Sequence, residues 1–156
     1  MIEKQISHTK TLMEKLDIKA EILSHPHMDG THSEDVMKAL DIPLNSIIKC
    51  LILKSKRGNL VSAIILGNQK LDFKKLEEIS GEKKFSLASP EVVKEVTSFD
   101  VGGVPPIAVF GLMPIFIDSK VMDQEFVVGS AGTKFHGLKL SPKELLKIEP
   151  IIAEIE

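Results

Sequence analysis

The chain contains neither tryptophan nor tyrosine, has a single cysteine and lacks any long apolar segment. Without these aromatic side chains, recognition of several nucleobases by stacking is not expected. One cysteine cannot form an intramolecular disulfide, which agrees with a reducing compartment. No apolar run reaches the ~18 residues of a membrane span, and residues 1–4 lack the apolar core of a signal peptide. These absences predict a cytoplasmic protein with no membrane partner.

The common signatures of nucleotide chemistry and covalent catalysis are also missing. The sequence has no GxxxxGK[ST] phosphate-binding loop and no GxGxxG after a strand. The segment from Gly129 to Gly132 reads Gly-Ser-Ala-Gly, which does not fit the G-x-S-x-G pattern of a nucleophile elbow. Cys50 lies among isoleucines and leucines, where packing is expected rather than nucleophilic reactivity.

The overall composition is that of an ordinary globular protein, with 43% hydrophobic and 27% charged residues. Its 156 residues favour one domain, residues 1–156, that is large enough to bury a core. The formal net charge of −2 argues against a general nucleic-acid coat protein, although it permits a local basic patch. We expect no DNA partner.

Apolar periodicity alternates between helical and strand-like segments. Helices are predicted over residues 3–16 and after the capping residues Thr31, Asp72, Ser89 and Ser141. Glu34 and Glu144 complete capping boxes. Strands are predicted at about residues 20–23, 47–54, 60–66, 107–110, 114–118, 125–129 and 137–140. The second and third flank a hairpin turn at 56–59, and the apolar residues 149–156 are expected to pack on the domain or on a partner. The pattern predicts a mixed α/β domain rather than a doubly wound nucleotide-binding sheet.

Lys49 interrupts an apolar run. It lies within residues 47–53, Ile-Ile-Lys-Cys-Leu-Ile-Leu, which otherwise reads as a buried strand. An ammonium group removed from water is costly unless it is paired, so a cation here is typical of a pocket for a polar or anionic ligand. The alternative is that Lys49 lies near the edge of the strand and its ammonium reaches solvent. The strand pattern alone leaves both interpretations open.

The loop Gly102-Gly103-Val104-Pro105-Pro106 is the second informative feature. Two glycines allow backbone N–H groups to approach a ligand closely, and two prolines stiffen the end of the loop. A rigid array of amide donors suits a carbonyl oxygen or a developing oxyanion. A tight connection between a helix and the next strand is an equally good interpretation of this motif alone.

Histidines raise the question of a metal. His25, His27 and His32, with Asp29 among them, could in principle supply zinc ligands. Their spacing matches no familiar ligand set, so a polar loop at the mouth of a pocket is the better interpretation and no metal is expected. His136 follows a glycine-containing stretch and either faces the same pocket or lies on the surface.

The ordered set of motifs resembles a known family. It comprises His25-Pro26, Thr31-His32-Ser33-Glu34-Asp35, Lys49 in Ile-Ile-Lys-Cys-Leu-Ile-Leu-Lys, Gly67 before Lys70-Leu71-Asp72-Phe73-Lys74-Lys75-Leu76, the Gly-Gly-Val-Pro-Pro loop, Asp118, Gly129-Ser130-Ala131-Gly132 and Leu140-Ser141-Pro142-Lys143-Glu144-Leu145. From about residue 3 to 148, the chain is similar to the YbaK-type aminoacyl-tRNA deacylases, relatives of the editing domain of bacterial prolyl-tRNA synthetase.

This resemblance implies a compact domain with a mixed, barrel-like sheet surrounded by helices. It implies hydrolysis of the ester that joins a wrong amino acid to the terminal ribose of tRNA. Lys49 would orient the terminal adenosine or its phosphate and stabilise negative charge, the amides of Gly102 and Gly103 would hold the scissile carbonyl, and a bound water would attack. No cofactor is implied. The implied substrate-binding residues are His25, Thr31, Gly67, Val104, Pro105, Gly129, Ser130, Ala131, Gly132 and His136.

The implied partner is a mischarged aminoacyl-tRNA, with an aminoacyl-tRNA synthetase as a further candidate. Lys70, Lys74 and Lys75, with Lys83 and Lys84 nearby in the sequence, are candidates for tRNA contact, although a solvated helix face is an equally good interpretation. The segment around His136 matches only loosely the histidine-bearing loop of alanine-removing relatives, so the edited amino acid stays open. A binding module without turnover and a metal-dependent hydrolase are the alternatives.

Overall fold

The computed structural model describes residues 2–24, 38 and 40–156. In this part of the chain, amphipathic segments form three α-helices, and shorter segments form 3-10 helices. The α-helices are α1 (Ile2–Lys15), α2 (Phe73–Ser80) and α3 (Pro90–Thr97). The 3-10 helices are Leu44–Ser46, Pro106–Val109, Ser119–Asp123 and Pro142–Ile148.

Within the described residues, eight strands are divided between two sheets. The strands are β1 (Ala20–Ser24), β2 (Ile48–Lys54), β3 (Leu60–Leu66), β4 (Ser86–Leu87), β5 (Ile115–Asp118), β6 (Val127–Ser130), β7 (His136–Leu140) and β8 (Ile151–Ala153). One sheet has the order β1-β7-β6, and the other has the order β4-β2-β3-β5-β8. The second sheet is mixed, because β5 pairs in parallel with both β3 and β8. A parallel bridge between Ile47 and Val128 links the two sheets.

The predicted hairpin is confirmed as β2 and β3, which pair antiparallel along their whole length. Gly58 in the turn has φ +89°, in the left-handed region that favours glycine. Strand β2 separates two apolar clusters. Ile48 and Ile52 contribute to the larger cluster, whereas Leu53 on the opposite face contributes to the smaller one. By alternation, Lys49 shares the face of Leu53.

Capping signals locate the helix starts well. Asp72 caps α2 by accepting a hydrogen bond from Lys75 N at 3.1 Å, and Ser89 caps α3 with Pro90 at its first position. Ser141 also acts as a cap, but the helix after it is a 3-10 helix. The predicted capping box there is wrong, because the Glu144 carboxylate accepts from the backbone N–H of Lys19 at 2.6 Å.

The C-terminal residues pack on the domain, as predicted. Strand β8 pairs with β5, and Ile155 is completely buried in the smaller cluster. The carboxylate of Asp118, also completely buried, accepts a hydrogen bond from Ile155 N at 2.8 Å. Lys75 Nζ forms an ion pair with Glu154 at 2.7 Å, so α2 is tied to the same segment.

The expected mixed α/β class is confirmed, with the strands divided between the two linked sheets. The strand predicted at 107–110 is wrong: residues 106–109 form a 3-10 helix, because Pro105 and Pro106 cannot donate ladder hydrogen bonds. The helix predicted after Thr31 lies outside the described residues. None of the helices in the described part of the chain is long and apolar enough to cross a membrane.

Candidate active site

A cavity of about 450 Å³ lies against one end of the larger apolar cluster. Its walls come from four parts of the chain, around residues 47–52, 87–93, 101–106 and 128–137. This size is typical of sites for small molecules. Six of the residues predicted from the sequence line it together: Lys49, Gly102, Val104, Gly129, Ser130 and His136.

Lys49 in β2 is among the residues that line this cavity, and its side chain lies on the face of β2 opposite to Cys50. Its ammonium donates a hydrogen bond to the carbonyl oxygen of Gln69 at 3.0 Å, in the segment that follows β3. Burial, followed by the positive charge of Lys70, lowers the pKa of Lys49 below its ordinary value. Lys49 is therefore neither a fully buried charge nor a freely solvated one, and both sequence interpretations describe part of its setting.

The two glycines of the glycine loop have different surroundings. Gly102 lines the cavity and has φ +84°, which a side chain would strain. The N–H of Gly103 instead donates within the loop to Asp100 O at 2.8 Å. A Cβ on Gly103 would lie 3.3 Å from the carbonyl oxygen of Gly132, so the two glycine-containing loops pack closely here. Pro105 is buried behind the wall that Val104 and Pro106 form.

The loop after β6 is held by its own hydroxyl groups. Ser130 Oγ donates to the carbonyl oxygen of Thr133 at 3.3 Å and accepts from Gly132 N at 3.2 Å. Thr133 Oγ1 lies 2.7 Å from His136 Nδ1 and accepts from Phe135 N at 3.1 Å. This network fixes the wall of the cavity on which His136 lies.

Ala131 and Gly132 lie behind this wall and pack against α1. Thr9 Oγ1, completely buried, donates to Ala131 O at 2.6 Å. Gly132 has φ +111°, and a Cβ there would lie 2.8 Å from Thr9 Oγ1 and 2.9 Å from Cε1 of Phe99. Glycine is required at this position by close packing, and both residues support the site without lining the cavity.

Cys50 lines the cavity from the face of β2 opposite to Lys49. Burial raises the pKa of its thiol to about 12. The residue as a whole keeps an intermediate exposure, so the thiol itself is the part withdrawn from solvent. A thiol in this state is protonated at neutral pH and is a poor nucleophile.

Several predicted residues lie elsewhere. Gly67 donates its N–H to Ile47 O and connects β3 to the beginning of β2. Lys70 and Lys74 are exposed outside the cavity, and Lys75 Nζ binds Glu154 and the carbonyl oxygen of Glu156. His25 and Thr31 lie outside the described residues, as do His27, Asp29 and His32 of the metal hypothesis. Among the residues that the structure describes, no group of three or more His, Cys, Asp or Glu could hold a metal.

Sequence reasoning missed much of the apolar lining. Val93 on α3 contributes to the wall. Leu87 and Val101 also line the cavity, and because their side chains are 63% and 55% exposed, respectively, they lie at its mouth. Thr133 was also missed. Exposed leucine and valine give no signal in a sequence, because only the fold places them beside a cavity.

The family model for the aminoacyl-tRNA editing domain matches residues 25–148. An Enterococcus faecalis protein provisionally named Cys-tRNA(Pro)/Cys-tRNA(Cys) deacylase EbsC is 29% identical over 120 residues, which are 77% of this chain and 73% of that protein. Proline–tRNA ligase of a Thermoanaerobacter species is 34% identical over 106 residues. That match covers 66% of this chain but only 18% of the ligase.

The fold agrees with these matches. A solved structure provisionally described as a trans-editing enzyme for prolyl tRNA synthetase superposes with a TM-score of 0.86 at 23% identity, covering 97% of this chain and 96% of that one. The resemblance identified in the sequence is confirmed. The chain belongs to the aminoacyl-tRNA editing domain family.

Proposed function

We propose that this protein is a trans-editing deacylase that hydrolyses the ester of a mischarged aminoacyl-tRNA. The observation that carries the proposal is the cavity that Lys49, Gly102, Ser130 and His136 line together. A cation and a glycine loop suit an ester whose carbonyl oxygen becomes negative as water attacks. Membership of the editing domain family supports the same reaction.

Lys49 supplies positive charge at the cavity. In this mechanism its ammonium attracts the phosphate or ribose end of the substrate and stabilises the developing oxyanion. The N–H of Gly103 is already used by Asp100 O, so the amides proposed for the scissile carbonyl are those of Gly102 and Val104. This assignment replaces the Gly102–Gly103 pair with a pair whose members both line the cavity.

Water is the proposed nucleophile. Ser130 Oγ donates its proton to a backbone carbonyl rather than to a base, so nothing in that bond activates it for attack. The thiol of Cys50, with its pKa raised to about 12, stays protonated. Both observations support attack by a bound water, assisted by a ribose hydroxyl of the substrate.

The substrate side chain is proposed to be small, with cysteine as the first candidate. The walls that Ile48, Val93, Val104 and Val128 supply are apolar and suit a thiol or a short aliphatic group better than a charged one. The relative from E. faecalis carries Cys-tRNA(Pro) and Cys-tRNA(Cys) in its name. A prolyl-tRNA synthetase is the candidate protein partner, because the chain matches a segment of proline–tRNA ligases.

The test is release of the amino acid from tRNAs charged with Ala, Cys, Ser, Pro or Thr, with enzyme in excess over tRNA. We expect rapid release of one or two of these amino acids by the wild-type protein. Absence of release from every tRNA, together with retained tRNA binding, would instead establish a binding module. Repeating the assay with a chelator tests the metal-dependent alternative, since loss of activity would require a metal.

A further inference from the structure

The surface beside the cavity mouth carries a cluster of positive charge that has no role in the chemistry described above. The tip of the β2–β3 hairpin and the loop at residues 81–84 together present Lys54, Lys56, Lys83 and Lys84, all four exposed. These four lysines are called the hairpin-tip patch. The sequence separates them into two groups, and the fold brings the groups together.

Fixed contacts join the two halves of the hairpin-tip patch. Lys56 N donates to Lys83 O at 2.9 Å. The Glu82 carboxylate, 12% exposed, accepts from Arg57 Nη2 at 2.7 Å and from Asn59 Nδ2 at 3.1 Å. The backbone under the four lysines is therefore held in place, which lowers the entropic cost of binding a ligand that needs several of them at once.

The charge of this region is strongly one-sided. Residues 53–60 and 81–88 contain five Lys and Arg and the carboxylate of Glu82. The Glu77 carboxylate reaches the same region and accepts from Lys84 N at 2.8 Å, so these groups carry a net charge of +3. Hydrogen bonds from Arg57, and then from Ser55 and Asn59, lower the pKa of Glu82, so this carboxylate is ionised and already engaged. The whole chain has a formal charge of −2, which makes the hairpin-tip patch a local exception.

The patch adjoins the mouth of the cavity. Lys54 pairs with Ser86 in the β2–β4 ladder, one residue from Leu87 at the mouth. Lys54 also shares the face of β2 with Cys50, which lines the cavity. Lys84 is three residues from Leu87, which is at most about 10 Å of extended chain. A polymer whose end lies in the cavity and that leaves the mouth past Leu87 would pass over these lysines.

From this arrangement we infer that the hairpin-tip patch binds the phosphate backbone of an RNA whose aminoacylated 3′ end occupies the cavity. This inference rests on the proposed deacylase function and names the surface that holds the tRNA acceptor stem. Lysines provide point charges for phosphates and do not read bases, so the contact is independent of nucleotide sequence. It keeps Lys83 and Lys84 of the cluster predicted from the sequence and replaces Lys70, Lys74 and Lys75 by the hairpin lysines; the Lys75 ammonium is already bound by Glu154.

The test compares two substrates. One is full-length aminoacyl-tRNA, and the other is the same amino acid esterified to adenosine alone, which has no phosphate for the patch to bind. For Lys54→Ala/Lys83→Ala/Lys84→Ala we expect KM for the full-length substrate to rise roughly tenfold at low salt, with a flatter dependence on salt concentration. We expect kcat on both substrates and KM for the short one to stay near wild type. Lys4→Ala/Lys15→Ala/Lys143→Ala is the control with equal charge loss at exposed positions.

Three results would overturn the inference. The first is an unchanged KM for full-length tRNA, or a change no larger than in the control. The second is an equal loss on both substrates, which would mean that the lysines act on the cavity itself. The third is normal tRNA binding with lost binding to a synthetase, which would make the patch a protein-docking surface.

Binding of uncharged tRNA separates this inference from the proposed function. If the wild-type protein hydrolyses no substrate, the proposed function fails, but the salt dependence of tRNA binding still measures the patch. Weaker and less salt-dependent binding by the triple variant would support the patch in that case, and unaltered or absent binding would overturn it.

Discussion

The ammonium of Lys49 donates a hydrogen bond to the carbonyl oxygen of Gln69, 3.0 Å away. This contact ties the beginning of β2 to the segment that follows β3. The next residue, Lys70, adds a positive charge that, after burial, helps to lower the pKa of Lys49. The protonation of the proposed catalytic cation therefore depends on a segment outside the cavity wall.

Replacing Lys49 by methionine removes the charge while keeping most of the side-chain volume. We expect the single-turnover deacylation rate to fall by about 100-fold or more, the usual effect of losing a group that stabilises an oxyanion. Because the ammonium is half-buried and its pKa is lowered, the fold does not depend on its charge, and we expect Tm to stay within about 2 °C. Lys143→Met, at an exposed position, is the control and should change neither quantity. A fully active Lys49→Met protein would remove Lys49 from the mechanism.

The pH dependence of the rate should respond to Lys70. If protonated Lys49 is required, the rate falls as pH rises through its lowered pKa. Lys70→Gln removes a repulsive charge, so the pKa of Lys49 rises and the falling limb moves to higher pH; the shift is partial, because burial is the larger cause. The measurement is a pH–rate profile at constant ionic strength, corrected for spontaneous ester hydrolysis. Lys74→Gln is the control and should leave the falling limb in place. If the falling limb of the Lys70→Gln profile does not move, or moves to lower pH, protonated Lys49 is not the group that the rate requires.

Thr9 anchors α1 to the loop behind the cavity, and its neighbour provides a matched comparison. Thr9→Val removes the hydrogen bond to Ala131 O in a completely buried setting and should cost about 1–3 kcal/mol of unfolding free energy. Thr11→Val removes an exposed hydrogen bond to Ser7 O on the same helix and should cost under about 0.5 kcal/mol. Denaturant unfolding of both variants measures the difference. Equal stability would show that Thr9 does not hold this loop.

The C-terminal segment allows a similar comparison between a buried and an exposed isoleucine. Ile155 is completely buried, whereas Ile151 in β8 is 48% exposed. We expect Ile155→Ala to lose about 2–5 kcal/mol, which lowers Tm by roughly 5–15 °C. Ile151→Ala should change Tm much less. A Tm that is unaffected by Ile155→Ala would show that residues 149–156 contribute little to the fold.

Local signals in the sequence predicted much of the fold. Short apolar runs on either side of a turn predicted β2 and β3, and Asp72 and Ser89 marked the starts of two helices correctly. The 3-10 helix Pro106–Val109 was mistaken for a strand, because its apolar residues have strand-like composition while the prolines before it prevent pairing. Glu144 was assigned to a capping box because local spacing cannot show that Lys19, distant in sequence, takes its carboxylate.

Residues of the candidate site were predictable where their type is unusual for the surrounding sequence. A lysine in an apolar strand and a double glycine before two prolines both identified cavity residues. Gly132 was assigned to the substrate, but its surroundings show that close packing against Thr9 requires glycine. Lys75 was assigned to tRNA, but its ammonium is bound to Glu154. Such assignments depend on contacts between distant segments, which spacing in a sequence does not encode.

The most direct test of the account is single-turnover hydrolysis of Cys-tRNA(Pro) and of Pro-tRNA(Pro) by the wild-type protein, with enzyme in excess. The account predicts that cysteine is released well above the spontaneous rate, and at least about tenfold faster than proline, a difference within the range of side-chain discrimination by an apolar pocket. Release of neither amino acid above the spontaneous rate, by a folded protein that still binds the tRNA, would contradict it.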